Sequence, residues 1–395
     1  MALELNADLC IIPATGTPLN TIKNYRDKRL VLVAAMAGNL LVLPLASQGT
    51  AYSYIDLNPS AFTHSEGFGI SSSQQVGYGY GSASGNNYHA LLWSGTSSSA
   101  VDLNPSGFTY SYGYRSFGSE QVGFGSGGGS GNNNHALLWS STASSVVDLN
   151  PSGFTESRGY GLSGSKQVGF GSGSVTGNNQ HAILWSGTAS SAVDLNPSGF
   201  TTSEGHGISG SQQVGYGSAS GNNTHALLWS GTAGSAVDLN PSGFTTSYGF
   251  GISGSQQFGY GYGPATGNNA HALLWSGTAS SVVDLNPSGF TWSQGYDISG
   301  SQQVGYGLGP ASGNNTHALV WSGTASSAVD LGGLLSSDYS TSQAQGIDAN
   351  GNVFGFAFYI PTGQEHAIVW TVVPEPGAVT LLGLGGLTLL LRKRS

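Results

Sequence analysis

Apolar side chains occur in short runs in which large residues alternate with small or polar ones, and Gly, Ser and Asn separate the runs. Around the middle of the chain, four such runs follow one another, at residues 205–208, 213–216, 226–229 and 236–239. Short alternating runs bounded by turn residues are typical of β-strands, and this segment has no helical period. The pattern therefore predicts a unit of four short antiparallel strands in about 45 residues.

The unit recurs seven times. Its most apolar strand begins with a His-Ala pair, whose histidines are His89, His135, His181, His225, His271, His317 and His366. Its last strand ends in an Asp-Leu pair, whose aspartates are Asp56, Asp102, Asp148, Asp194, Asp238, Asp284 and Asp330. The histidines are mostly 46 residues apart, with one step of 44 and a final step of 49. A fixed period of this length indicates a propeller, a solenoid or an array.

The first and last copies of the unit are incomplete in complementary ways. Asp56 stands before any His-Ala strand, and the strand at residues 366–370 has no Asp-Leu pair after it. An orphan strand at one end can complete the unit at the other and so close a ring. We therefore predict an all-β, seven-bladed β-propeller of four-stranded blades, in which residues 54–57 close the last blade. A right-handed β-solenoid is the alternative, but it needs capping units that the sequence does not show.

The composition narrows the possible partners. Only 7% of the 395 residues are charged and 10% are aromatic, which argues against a disordered chain. Residues 52–373 hold fifteen acidic and three basic side chains, a formal net charge of −12. Such a surface repels phosphate backbones, so we expect no nucleic-acid partner. The single cysteine, Cys10, lies before the repeats, so the repeats have neither disulfides nor thiolate metal sites.

The N-terminal segment has the order of parts found in a secretory signal. Basic residues between Lys23 and Arg29 precede an apolar run at residues 30–45, and Gly49-Thr50-Ala51 follows as a small-x-small cleavage pattern. We expect residues 1–51 to be a leader and signal peptide, and the chain to be secreted. A retained N-terminal anchor is the alternative.

The C-terminal segment, residues 373–395, also has three parts. Pro374-Glu375-Pro376 precedes an apolar run of 14 residues at 378–391, and Arg392-Lys393-Arg394 follows it. The run is shorter than the ~20 residues that span a bilayer comfortably, and the cations favour a cytoplasmic end. This tail resembles the PEP-CTERM sorting signal, which implies an exosortase-type membrane protease that recognises Pro374, Glu375 and Pro376. The resemblance implies a short hydrophobic transmembrane helix, a transient membrane attachment and a final location at the cell surface or outside the cell.

Residues 52–372 resemble the HAF family of extracellular repeats. The fourth copy carries the matching motifs: Gly207-Ile208, Val214-Gly215, the run from His225 to Trp229, and Asp238-Leu239. The aromatic residue that follows His-Ala in the family is Leu or Ile here in every copy. The resemblance implies an exported propeller-like protein, and the family has no settled biochemical activity.

The repeated His and Asp are better explained as structural ties than as catalytic or metal-binding groups. A group present once per blade lies far from its equivalents, whereas metal ligands must converge. We expect each His to bond to backbone or to the Asp carboxylate on a neighbouring strand. Residues 348–351 predict a hairpin turn, with a lone calcium site as the alternative. We find no nucleotide-binding loop and no nucleophile elbow, and we expect no cofactor, no metal and no enzymatic activity.

The positions at which the copies differ supply the candidate binding residues. They follow each Asn-Pro-Ser-x-Phe-Thr motif, and others precede each repeated His, so both sets should meet on the loops of one rim. Tyr, Trp and polar side chains there suit stacking and hydrogen bonding to carbohydrate. Neutral drift at exposed positions explains the same variation. The candidates are Tyr110, Tyr112, Glu156, Arg158, Glu204, Tyr248, Trp292 and Gln294.

Two functional hypotheses follow. The first is an exported structural or binding protein of the cell surface or extracellular matrix, sorted by an exosortase-type system and associated with extracellular polysaccharide. The second is a propeller lyase or glycosidase. Its acids would come from the scarce carboxylates outside the repeated Asp-Leu pair: Glu66, Glu156, Glu204 and Asp297. A retaining glycosidase needs two carboxyl groups only ~5 Å apart, which different blades rarely provide away from the central channel.

Overall fold

A computed structural model describes most of the chain, at residues 31–36, 39–44, 50–219 and 223–373. Contacts divide the chain into two compact units, Met1–Ala51 and Tyr52–Ser395. In the first unit, strands Val31–Met36 and Asn39–Pro44 pair as an antiparallel hairpin. Most of the expected signal peptide lies outside the described residues.

The second unit consists of seven sheets of four antiparallel strands. We call these sheets blades 1 to 7 in chain order. The first strands of the blades are His64–Ser71, Tyr110–Phe117, Phe154–Ser163, Phe200–Ser209, Thr246–Ser253, Trp292–Ser299 and Tyr339–Ile347. The second strands are Gln74–Tyr80, Glu120–Ser126, Lys166–Gly173, Gln212–Ala219, Gln256–Tyr262, Gln302–Leu308 and Val353–Tyr359.

The third and fourth strands complete each blade. The third strands are Tyr88–Trp93, His135–Trp139, His181–Trp185, Thr224–Trp229, His271–Trp275, His317–Trp321 and Gln364–Val373. The fourth strands, in blade order, are Val101–Asp102, Val147–Asp148, Val193–Asp194, Val237–Asp238, Val283–Asp284, Val329–Asp330 and Ala51–Asp56. The first strands of neighbouring blades contact one another around the whole ring, including blade 7 with blade 1, so they surround the central channel.

Short 3-10 helices occupy many of the connections between strands. They are Ser82–Ser84, Ser97–Ser99, Gly128–Ser130, Ala143–Ser145, Ser174–Thr176, Ala189–Ser191, Ala233–Ser235, Pro264–Thr266, Ala279–Ser281, Pro310–Ser312, Ala325–Ser327 and Gly332–Leu334. Within the described residues, no helix has the length and apolar character needed to cross a membrane. The expected C-terminal hydrophobic helix falls on residues 374–395, outside the described part of the chain.

The core lies between blades rather than within them. Each blade contributes one tryptophan from its third strand, and all seven are fully buried: Trp93, Trp139, Trp185, Trp229, Trp275, Trp321 and Trp370. In one representative cluster, Val168 and Leu184 of blade 3 pack with Ile208, Leu227 and Trp229 of blade 4. Burying each large apolar side chain contributes roughly 2–3 kcal/mol, so stability depends on blades packing against their neighbours.

Hydrogen bonds also tie each blade to the next in a closed series. In six of the seven junctions, a backbone N–H of the third strand donates to a serine Oγ in the first strand of the following blade, as Ala182 does to Ser203 at 3.0 Å. The seventh bond runs from Ala367 of blade 7 to Ser65 of blade 1, also at 3.0 Å. Every junction, including the last to the first, therefore has the same polar tie.

The N-terminal strand closes the ring as predicted. Ala51–Asp56 lies beside Gln364–Val373 as the fourth strand of blade 7. Leu57 donates its backbone N–H to the carbonyl of Ala367 at 2.8 Å, and Ser53 Oγ lies 3.0 Å from Thr371 Oγ1. The structure therefore confirms the seven-bladed propeller and excludes the β-solenoid.

Candidate functional site

Each repeated histidine contacts the repeated aspartate of its own blade. The distances from His Nδ1 to the nearer Asp oxygen are 2.6–2.9 Å in all seven blades, and in blade 7 the pair is His366 with Asp56. In all but blade 6, the other Asp oxygen accepts the N–H of the Asn two residues later, as Asp194 does from Asn196. This confirms the predicted tie between third and fourth strands, and it commits the repeated His and Asp to the scaffold.

The channel is lined by one residue from the middle of each first strand. Side chains alternate along a strand. The serine that bonds the preceding blade therefore points away from the channel, whereas the residues one and three positions after it point towards the channel. The lining residues, which we call the channel ring, are Phe68, Tyr114, Tyr160, His206, Phe250, Tyr296 and Gln345. Six of these seven side chains are aromatic.

The aromatic members of the channel ring contact one another from blade to blade. Tyr160 and His206 are stacked with ring centroids 4.7 Å apart and an interplanar angle of 7°. Five consecutive contacts join the six aromatic residues, at centroid distances of 4.7–5.1 Å. Phe356 of blade 7 reaches Phe68 at 6.2 Å, beside the position of Gln345. The channel therefore has a nearly continuous aromatic wall.

A second row of aromatic side chains lies next to the channel ring. It comes from the second strands, at the aromatic position that follows a glycine in each blade: Tyr78, Phe124, Phe170, Tyr216, Tyr260, Tyr306 and Phe356. In five blades the full pattern is Val-Gly-aromatic-Gly; Phe258 replaces the Val in blade 5, and Phe354 and Ala357 replace the Val and the second Gly in blade 7. The close approach of the strands explains the flanking glycine, because a Cβ on Gly215 would lie 1.9 Å from the carbonyl oxygen of Glu204. The sequence carries this spacing signal, but from the sequence alone it predicts only a strand.

All eight candidate residues lie on first strands and not on loops, which corrects our expectation of a loop rim. They occupy two positions that face the same way as the channel ring, one immediately before and one immediately after the serine that bonds the preceding blade. The strands are longer at this end than the sequence pattern suggested, so the variable residues are held by sheet pairing. All eight are partly buried.

The structure brings most of these candidates into contact with the aromatic rows. Tyr112 is stacked on Phe124 at 5.0 Å, and the guanidinium of Arg158 lies 4.6 Å from the centre of the same ring. Tyr248 packs edge-on against Tyr216 at 5.0 Å. Together with the two aromatic rows, the candidate residues form what we call the channel mouth.

The remaining candidates contribute polar edges to the channel mouth. Gln294 Oε1 accepts hydrogen bonds from Tyr296 and Tyr306 at 3.1 and 2.8 Å, and Trp292 packs edge-on against Tyr306 at 5.8 Å. Tyr110 lies 5.9 Å from Tyr112 and donates to Asn134 Oδ1. Glu156 is more isolated, with a 3.3 Å hydrogen bond from Ser172.

Burial and local contacts shift the pKa values of ionisable side chains at the channel mouth. Burial raises the pKa of both Tyr112 and Tyr114 to about 12, so these hydroxyl groups stay neutral at physiological pH. Burial also opposes ionisation of Glu204, but the nearby imidazole of His206, 3.4 Å away, and the hydrogen bond from Tyr216 outweigh it and lower the pKa of this carboxyl. The Tyr216 hydroxyl donates to Glu204 at 2.9 Å. The mouth therefore offers neutral hydroxyl groups around a carboxylate that remains ionised.

One ion pair spans the channel. Arg115 of blade 2 and Asp297 of blade 6 lie on roughly opposite sides of the ring, and their side chains meet at 2.6 Å. Both occupy a first-strand position that is glycine in the other five blades. The pair separates a cavity of about 250 Å³ on the aromatic side from one of about 280 Å³ on the other side. Asp297, which we had considered as a catalytic acid, is therefore engaged in a channel-spanning bond.

Comparison with known proteins gives a fold but no family. No family model matches the chain, and no curated protein matches it. The propeller domain of the Trilobed protease from Pyrococcus furiosus is similar at 10% identity and a TM-score of 0.54, covering 78% of this chain and 95% of that one. That domain is described as having an open velcro topology.

Two enzymes contain a similar propeller. A puromycin hydrolase matches at 10% identity and a TM-score of 0.52, covering 76% of this chain and 53% of that one. A puromycin-hydrolyzing peptidase of Mycobacterium tuberculosis matches at 11% identity and a TM-score of 0.52, with coverages of 79% and 54%. This chain thus spans about half the length of these two proteins. At such identities the likeness shows the fold alone.

These similarities correct one of our expectations. The absence of catalytic motifs in the sequence predicts that the chain is not an enzyme. That prediction is wrong as an inference from this architecture, because propellers of the same shape occur in hydrolytic proteins. The fold that the comparisons support is a β-propeller, and any activity must be argued from the channel mouth itself.

Proposed function

We propose that the chain is an exported propeller that binds a neutral extracellular polysaccharide at its channel mouth, as a binding protein of the cell surface or extracellular matrix. The observation that carries this proposal is the nearly continuous aromatic wall, which is edged by neutral hydroxyl and amide groups. Ligand sites are mostly apolar concave surfaces with a few well-placed polar groups, and the channel mouth has this character.

The chemistry of the wall suits sugars. Aromatic faces pack against the apolar faces of sugar rings, and hydroxyl or amide edges pair with sugar hydroxyls. Tyr112, Tyr248 and Trp292 provide the faces. Gln294 provides an amide oxygen that already accepts hydrogen bonds from two hydroxyl groups. A cavity of about 250 Å³ is slightly smaller than the usual range for ligand sites, which begins at about 300 Å³. The proposal is therefore that a short segment or an end of the polysaccharide enters the channel.

Charge favours a neutral ligand over an acidic one. The seven blades carry a formal net charge of −12, and Glu204 stays ionised in the channel. Two arginines lie near the channel. Arg115 is paired with Asp297, and Arg158 lies over the ring of Phe124. An acidic polysaccharide would therefore be repelled by the field of the whole propeller.

The proposal of export depends on the two terminal segments. The signal-like residues 1–51 and the tail with Pro374, Glu375 and Pro376 support secretion across the inner membrane and processing by an exosortase-type membrane protease. The tail would attach the protein to the membrane at least transiently. Expression of the chain with Glu375→Ala in a bacterium that has an exosortase tests this step, because the proposal predicts unprocessed chain in the membrane fraction.

A polysaccharide hydrolase is the second candidate, and the carboxylates do not favour it. A glycosidase acid needs a raised pKa, whereas the pKa of Glu204 is lowered and Asp297 is paired with Arg115. Glu66 and Glu365 do bring carboxylate oxygens within 4.8 Å of each other, but both carboxylates contact the imidazole of His64 between them.

The test is a glycan array, followed by titration of the purified chain with the neutral oligosaccharides that bind. We expect Tyr248→Ala and Trp292→Ala each to weaken binding about tenfold or more, since each removes a stacking surface. Phe117→Ala is the matched control, because Phe117 is an exposed aromatic residue at the opposite end of a first strand. It should leave binding unchanged.

Two outcomes would contradict the proposal. One is the absence of binding to any neutral glycan, and the other is binding that Tyr248→Ala and Trp292→Ala do not affect. Depolymerisation assays on the same glycans separate the two candidates. Turnover that is abolished by Glu204→Gln would replace the binding role with a hydrolytic one.

A further inference from the structure

A cluster of three metal-ligating side chains lies where the ring closes. His64 and Glu66 belong to the first strand of blade 1, and Glu365 belongs to the third strand of blade 7. His64 Nε2 lies 3.1 Å from Glu66 Oε1, and His64 Nδ1 lies 3.3 Å from Glu365 Oε2. One ligand atom from each residue can be chosen so that all three lie within 4.8 Å of one another.

The repeat itself shows that this cluster is not a structural feature of every junction. At each junction, the residue before the repeated His faces the two variable first-strand positions of the next blade. At the junction of blades 3 and 4 these three residues are Gln180, Thr202 and Glu204. The other junctions carry Tyr88, Tyr110 and Tyr112; Asn134, Glu156 and Arg158; Thr224, Thr246 and Tyr248; Ala270, Trp292 and Gln294; Thr316, Thr341 and Gln343. Among the described blades, only the junction of blade 7 with blade 1 combines a histidine with two carboxylates.

The surroundings hold the imidazole in place. The His64 side chain is only 9% exposed. Its ring is stacked against Tyr78 at 6.2 Å and meets Tyr88 edge-on at 5.8 Å. Glu66 is 16% exposed and Glu365 is 36% exposed, so the cluster opens to solvent on the side of Glu365. The site is therefore rigid on one side and accessible to an ion and its remaining water on the other.

The ligand set indicates which ion would bind. Two carboxylates and one neutral imidazole supply two negative charges, which match a divalent cation. In a tetrahedral zinc site with bonds of 2.0–2.2 Å, neighbouring ligand atoms lie roughly 3.3 Å apart. The contact of His64 Nε2 with Glu66 already has this length, whereas Glu365 contacts the other ring nitrogen, Nδ1. Because an imidazole binds an ion through one nitrogen, the more exposed Glu365 side chain must turn towards the ion, and one ligand atom from each residue already lies within 4.8 Å of the others. An imidazole ligand favours zinc and similar transition metals over calcium and magnesium, which prefer oxygen alone.

We propose that His64, Glu66 and Glu365 bind a divalent transition metal ion, with Zn²⁺ as the expected ion, and that this ion holds the last blade against the first. The ligands come from both sides of the junction, so the ion binds the closed ring and not a ring open at this point. Binding to the folded state alone stabilises that state by mass action. This inference does not depend on the polysaccharide proposal.

The experiment uses the purified full chain after treatment with a chelator, titrated with ZnCl₂ by calorimetry and followed by thermal unfolding. We expect one Zn²⁺ per chain at micromolar concentration and a rise in Tm on addition of Zn²⁺. His64→Thr and Glu365→Thr install residues that the repeat already tolerates at these positions. Each should weaken Zn²⁺ binding at least about 100-fold, since each removes a ligand, and should abolish the rise in Tm.

His206→Phe is the matched control. His206 lies beside Glu204 without a third ligand, and phenylalanine occupies the same position in blades 1 and 5. This variant should keep full Zn²⁺ binding, as should variants of the repeated His-Asp pairs. The inference is overturned if the chain binds no stoichiometric Zn²⁺, or if His64→Thr leaves binding unchanged. It is also overturned if His64→Thr lowers Tm equally with and without Zn²⁺, because the cluster would then be a simple charge-stabilised hydrogen-bond network.

Discussion

Arg115 and Asp297 form a 2.6 Å ion pair between blades 2 and 6, across the centre of the propeller. The Asp297 carboxylate also accepts the backbone N–H of Ile347 in blade 7 at 3.0 Å. Three blades are therefore joined by one contact at the axis, where the other blades supply only glycine at the same strand position. The pair acts as a brace for the ring and as a floor for the aromatic side of the channel.

Removal of one partner of this brace should cost more than removal of both. Arg115→Gly leaves a carboxylate that is 11% exposed without its cation, and we expect a loss of about 2 kcal/mol in the free energy of unfolding. Arg115→Gly with Asp297→Gly restores the residue found in the other blades. Urea unfolding of both single variants and the double variant measures the coupling, which should be about 1–3 kcal/mol. Additive losses would show that the brace does not contribute to stability.

Replacing a tryptophan by alanine should lower the free energy of unfolding much more between blades than at the channel mouth. Trp185 is fully buried between blades, and Trp185→Ala should lower the free energy of unfolding by about 3–5 kcal/mol. Trp292 lies partly exposed at the channel mouth, and Trp292→Ala should cost less than about 1 kcal/mol. Denaturant unfolding of the two variants tests this contrast. Equal losses would mean that Trp292 belongs to the core and would weaken its assignment to ligand binding.

Acid should loosen the closing strand. Burial would raise the pKa of Asp56, but bonds from His366, Asn58 and Tyr339 outweigh it and lower that pKa. A carboxyl whose pKa is lower in the folded state contributes stability that is complete above its unfolded pKa near 4 and is lost as the pH falls towards the folded value. Thermal unfolding from pH 6 down to about pH 2.5 should therefore show a decline that is smaller in Asp56→Asn. An unchanged slope in the variant would exclude Asp56 as a source of the acid sensitivity.

Single His-Asp ties should contribute little individually. The Asp194 side chain is 47% exposed, so solvent screens its contact with His181, and Asp194→Ala should cost only about 0.5–1 kcal/mol. The equivalent change in another internal blade, Asp284→Ala, should cost the same. A loss several times larger, measured by thermal unfolding, would contradict the view that these pairs are redundant local ties.

The regular part of this molecule was predictable because each blade repeats one pattern. The complementary ends of the repeat, at Asp56 and His366, predicted closure, and the spacing of His and Asp predicted their contact. Blade number and strand count follow from the same periodicity. The structure confirms these predictions. The pattern is a reliable guide because every blade must bury the same tryptophan against its neighbour.

The channel was harder to predict because the sequence does not show which blades face one another. Arg115 and Asp297 are 182 residues apart, and only closure of the ring makes them partners. His64 and Glu365 likewise meet only across the junction of the first and last blades. Comparison of the copies found the variable residues, such as Tyr112 and Glu204. Their position on strands was not predicted, because the pairing of first and second strands extends beyond the residues in which large and small side chains alternate.

The central claim is that the N-terminal strand closes the ring, since the continuous channel mouth and the brace across its axis both depend on it. The most direct measurement is disulfide formation between Ser53→Cys and Thr371→Cys in a Cys10→Ser background, since the two hydroxyl oxygens lie 3.0 Å apart. We predict an intramolecular disulfide in the monomer, seen as a mobility shift on non-reducing gels and absent in each single variant. Reduced monomer or intermolecular dimers alone would contradict the closed propeller.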